Sequence, residues 1–133
     1  MKKTLVVLLT LVTFDVSALT KIEIFFADIS PAPQIKEGID IMYYDLKGLS
    51  KLEDSLSRVL PNNLDQSTTF LNDFFNSKNG IGWLKEAQLH SEAVAKAVSY
   101  KLKGIPAVVF DSNSVVYGTA NIEEALKEYQ YNE

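Results

Sequence analysis

The stretch KGIPAVVFDSNSVVYGTANIEEALKEY, residues 103–129, decides the fold. Residues 107–110 are four apolar positions in a row, as in a buried strand, and Asp111, Ser112, Asn113 and Ser114 are turn formers. Val115, Val116 and Tyr117 then make a partner strand, so the segment reads as a β-hairpin. Pro106 has no N–H to give a ladder and belongs where it stands, at the entry to a strand. Asn121 occupies a helix N-cap position, and Ile122, Ala125, Leu126 and Tyr129 form one apolar stripe, enough to cover one face of a sheet.

Upstream of the hairpin, residues 22–26 are β-branched and aromatic with almost no polar interruption, the pattern of a central strand buried on both faces. Pro31 and Pro33 make residues 28–33 an extended or turning loop. A second strand is predicted over residues 39–45. Ser50 and Glu53 match a capping box, which predicts a helix starting at Ser50, with Leu52, Leu56, Val59 and Leu60 at helical spacing and Pro61 ending it. A further helix from about Asp65 buries Phe70, Leu71, Phe74 and Phe75, and residues 76–80 read as a loop. From Trp83 to Lys101 the spacing of Leu84, Ala87, Val94 and Val98 predicts a long amphipathic helix closed by Gly104. Strands separated by a long helical insertion and later joined by a hairpin imply an α/β domain with a mixed sheet and helical cover.

The chain opens with Lys2 and Lys3, continues through an uncharged apolar run over residues 5–14, and reaches the small-residue pattern Val16, Ser17, Ala18. That succession predicts a secretory signal peptide over residues 1–18, with the mature domain, residues 19–133, in the periplasm. As a helix the apolar run would reach about 15 Å, roughly half the hydrocarbon thickness of a bilayer, too short for a permanent anchor, so cleavage after Ala18 is expected. The 133 residues include 13 basic and 17 acidic side chains, for a net charge of −4. Such a surface repels phosphate backbones, and no basic run offsets it, so nucleic acid is not an expected partner. There is no cysteine. Thiol–disulfide chemistry and lipid attachment at a signal-boundary cysteine are therefore excluded, and stability must come from packing.

Gly104-Ile105-Pro106, the apolar strand, the polar turn, the second strand ending in Gly118 and the closing helix together resemble the C-terminal half of thioredoxin-fold proteins. The resemblance implies a thioredoxin-like fold, with a mixed four-stranded sheet, a helical insertion, and a cis proline at Pro106 before the C-terminal hairpin. A narrower likeness carries further: GIPAVVFD at 104–111, VVYG at 115–118 and NIEEAL at 121–126 are similar to a family of periplasmic thioredoxin-like proteins of bacterial integrating conjugative elements. That family is more distantly like the pilus-assembly proteins of F-type conjugation systems. It implies a noncatalytic accessory role in type IV secretion, with a protein component of the conjugative apparatus as partner. Catalytic thioredoxins place two cysteines after the first strand, where this chain has Ser30, Pro31, Ala32 and Pro33. A serine hydroxyl does not exchange with a disulfide, so the resemblance implies a binding groove without thiols, formed by Ser30, Pro31, Pro33, Ile105 and Pro106.

Other chemistry is weakly supported. His90 is the only imidazole and lies seven residues after Trp83 on a predicted helix, where partial burial beside the aromatic accounts for it. No Gly-x-Ser-x-Gly motif presents a nucleophile, so no catalytic residue is assigned. One histidine without cysteine leaves carboxylates alone as ligands, and neither a metal nor another cofactor is expected. Asp111, Ser112 and Asn113 look like part of a calcium loop but lack its glycine and distant glutamate. Phe70, Phe74 and Phe75 read as core, and Glu123, Glu124 and Glu128 as a solvated helix face. Two alternatives to the conjugation reading are a secreted binding protein unrelated to it and a secreted enzyme of another kind.

Overall fold

The structure, a computed structural model, describes residues 19–131, and the signal peptide expected over residues 1–18 lies outside them. In chain order the elements are β1 (Lys21–Phe26), β2 (Asp40–Asp45), α1 (Gly48–Ser57), α2 (Leu64–Phe75), α3 (Lys78–Ser99), β3 (Ala107–Phe110), β4 (Ser114–Tyr117) and α4 (Ile122–Tyr131). The fold is α/β, with one mixed sheet of order β2-β1-β3-β4. β2 runs parallel to β1, while β3 is antiparallel to both β1 and β4.

Alternation along β1 divides the core in two. Ile22, Ile24 and Phe26 join Val108 and Phe110 beneath Ile122 and Ala125 of α4. Phe25 and Val109 point the other way, against Ala97 of α3. The hairpin turn is tight: Asp111 and Ser112 both take positive φ (45° and 61°), and the Asn113 N–H donates to the Phe110 carbonyl at 3.0 Å. The Asp111 carboxylate accepts from the backbone N–H groups of Thr20 and Lys21 at 3.0 and 2.8 Å, bonds that hold its pKa below the ordinary 3.8. It thus ties the turn to the entrance of β1.

Five helical expectations need correction. α1 begins at Gly48 rather than Ser50, and the Ser50 hydroxyl donates to the Lys47 carbonyl instead of capping the helix. A Cβ on Gly48 would lie 2.0 Å from Nδ1 of His90, so glycine lets the first turn of α1 sit directly against the His90 ring of α3. His90 packs against that glycine. Residues 76–80 are not a loop, because Ser77 accepts from the Gly80 N–H and starts α3 at Lys78. Nor does Gly104 close α3: Lys101 turns to φ +52°, and the N–H groups of Lys101 and Leu102 donate to the carbonyls of Val98 and Ala97, a Schellman motif.

The fourth correction concerns which face of α3 is buried. Ala93 and Ala97 are buried, whereas Val98 is 70% exposed and Leu84 and Val94 also face solvent. Alanine lets the helix axis come close to the sheet, so the small residues make the contact and the branched ones stay outside. Phe70, Phe74 and Phe75 are not part of the main core either. α2 buries no residue completely, and its phenylalanines form a half-buried stack that ends with Phe75 against Trp83, 5.8 Å between ring centroids.

Candidate functional site

The loop after β1 and the segment before β3 face each other at one end of the sheet. Between them is a cavity of about 460 Å³, lined by Phe26, Ile29, Pro31, Lys47, Ile105 and Pro106 among others. Three of the five residues expected from the sequence, Pro31, Ile105 and Pro106, therefore come together. Ser30 and Pro33 do not line the cavity; both are exposed on the same loop. The Ile105–Pro106 peptide is cis. Among the described residues, neither the N–H nor the carbonyl of Ile105 makes a hydrogen bond, although its neighbour Pro106 accepts from the Gly118 N–H at 2.9 Å.

The opposite wall is held by a residue the sequence reading missed. The Gln34 side chain donates to the Ala120 carbonyl at 3.0 Å and accepts from the Ile122 N–H at 2.6 Å, and the Gln34 N–H donates to the Tyr43 hydroxyl at 2.8 Å. Lys36 pairs with Glu123 close by. These bonds fasten the proline loop to the start of α4 and hold that wall in place.

At the mouth of the cavity Lys47 pairs with Asp28 at 2.7 Å, and Lys51 pairs with Asp45 at 2.9 Å. Burial opposes ionisation of Asp45, but the Lys51 ammonium and the Lys47 N–H outweigh it and hold the carboxyl below its ordinary 3.8. A second apolar hollow, about 350 Å³, lies across Ile105, between Leu46, the C-terminal half of α3 at Val94 and Val98, and Leu102 just beyond the helix. Ile105 lines both hollows and is 41% exposed.

Glu23 was hidden in what reads as an apolar strand. Its side chain is wholly buried and accepts from Tyr100 at 2.5 Å and Tyr44 at 3.3 Å, with Lys96 at 2.8 Å and Lys21 at 3.3 Å. Burial works against its ionisation, yet the bonds from Lys96, Tyr100 and Lys21 prevail and keep its pKa below 4.5. The bond to Glu23 in turn raises the Lys96 pKa above 10.5. A carboxylate this fully bonded has no vacancy for a substrate. It is a fastener between β1 and α3, and it fixes the helix that forms one side of the second hollow.

Among the described residues no cluster of three or more histidine, cysteine or acidic side chains is placed to hold a metal ion, and no helix is long and apolar enough to cross a membrane. Fold and site together define a cysteine-free α/β domain with a mostly apolar groove at one end of a mixed sheet. The chain belongs to the family described as Protein of unknown function (DUF1525), which it matches over residues 8–133. Among curated proteins and among solved structures, none matches the chain.

Proposed function

We propose that the protein is a noncatalytic, thioredoxin-like accessory component of the conjugative (type IV secretion) apparatus of an integrating conjugative element, and that it works in the periplasm. In this reading residues 1–18 are a cleaved signal peptide, and the groove at Ile105 receives an extended segment of another component of the apparatus. The observation that carries the binding role is the cavity between Pro31 and Pro106, with the unused main-chain N–H and carbonyl of Ile105 at its side. An extended chain laid there gains backbone hydrogen bonds as an added strand would, and these need no thiol. The strand order, with β3 antiparallel to its neighbours, supports the thioredoxin-like assignment. The likeness of residues 104–126 to the conjugative-element family supports the biological setting.

Mating assays test this. In a donor lacking the gene, the wild-type copy should restore transfer, and Ile105→Glu, which places a charge between the two hollows, should fail to do so at equal periplasmic abundance. Full transfer by the Ile105→Glu donor would reject the groove. Full transfer without the gene would reject the conjugative role.

A further inference from the structure

Resting on the groove reading above, the geometry points to a particular class of occupant: an extended segment of a partner protein with two apolar side chains at alternate positions, followed closely by an aspartate or glutamate. Ile105 separates the Pro31 hollow, about 460 Å³, from the Val98 hollow, about 350 Å³. In an extended chain the residues at i and i+2 point to the same side, about 7 Å apart, so a strand lying along Ile105 offers one apolar side chain to each hollow. Val94 and Val98 are one helical turn apart on α3 and present a continuous apolar wall to the second of them.

The charges set the third feature. At the Pro31 end Asp28 and Lys47 neutralise one another at 2.7 Å. At the other end Lys103 lines both the Val98 hollow and a smaller one, about 270 Å³, beside Tyr117 and Gly118. Among the described residues Lys103 has no ion pair, although the chain as a whole carries a net charge of −4. The trough therefore ends in one unneutralised cation on an otherwise acidic protein, which favours a carboxylate at that end of the bound segment and disfavours a lysine.

Fluorescent decapeptides, acetylated and amidated, with two leucines at alternate positions followed by Asp, Asn or Lys, test this against the protein purified from the periplasmic fraction. The expected order of affinity is Asp, then Asn, then Lys. Each step should be about two- to fivefold, the worth of one exposed ion pair, and should shrink at high salt. Lys103→Glu should reverse the order, and Val98→Asp should weaken all three peptides, with circular dichroism confirming that both variants are folded. The backbone amide signal of Ile105 should shift on binding. If the peptides shift that amide but bind with equal affinity, or if Lys103→Glu leaves the order unchanged, the occupant proposed here is wrong and the groove reading stands. If no peptide binds at millimolar concentration, or binding leaves the Ile105 amide unmoved, both fail.

Discussion

The two faces of the central sheet are made from alternate residues of the same strands, and they are built differently. Beneath α4, Ile22, Ile24, Phe26, Val108 and Phe110 meet Ile122 and Ala125 in an apolar layer. Beneath α3, Phe25 and Val109 share their face with the carboxylate of Glu23, and Tyr44, Tyr100 and Lys96 close over it. The first face is held by area removed from water, a force without direction. On the second, bonds that depend on direction fix where α3 sits, and the exposed Val94 and Val98 of that helix border the groove. One face supplies cohesion and the other supplies position.

The largest effect should come from breaking the apolar face. Phe110→Ala removes a buried ring that packs on Tyr129 at 4.7 Å between centroids, and it should cost about 3–5 kcal/mol in urea denaturation. Glu23→Gln should cost less, about 1.5–3 kcal/mol, because it loses charge-assisted bonds but leaves Lys96 and Lys21 partly open to water. Its signature is pH. Since folding lowers the Glu23 pKa, its contribution is fully present above the unfolded value near 4.5 and is lost as pH falls through the folded value. The wild type should therefore lose stability below about pH 4.5, and Glu23→Gln should show a shallower loss, with Asp45 and Asp111 retaining part of the slope. The smallest effect on stability belongs to Val98→Lys. At 70% exposure it should stay within about 0.5 kcal/mol of the wild type in the same urea titration, while mating efficiency falls.

The contrast between the faces also explains what could be read from the sequence. The hairpin and α4 were legible because their signals are local: four apolar residues, a turn, and the Asn121 side chain that accepts from the Glu124 N–H at 3.1 Å. The buried face of α3 was not, because periodicity weights Leu84, Val94 and Val98 above the alanines, and close packing selects Ala93 and Ala97. Glu23 left a usable signal. A glutamate in a strand read as buried on both faces requires partners, and Lys96 and Tyr100, one turn apart on the expected helix, are of the right kind. Pro31, Ile105 and Pro106, which line one cavity, were singled out through the family likeness. Gln34 was beyond reach, since its two side-chain bonds span 86 and 88 residues and no local pattern announces them.

Site-specific photocrosslinking in mating cells tests the central claim most directly. Photoreactive residues at Ile29 and at Val98, both exposed at the rims of the two hollows, should each capture the same component of the conjugative apparatus, and mass spectrometry should place both crosslinks within one short segment of it. The same residue at Arg58, exposed at the end of α1, should capture nothing specific. Capture of that component from Arg58 alone, with Ile29 and Val98 silent, would contradict the account.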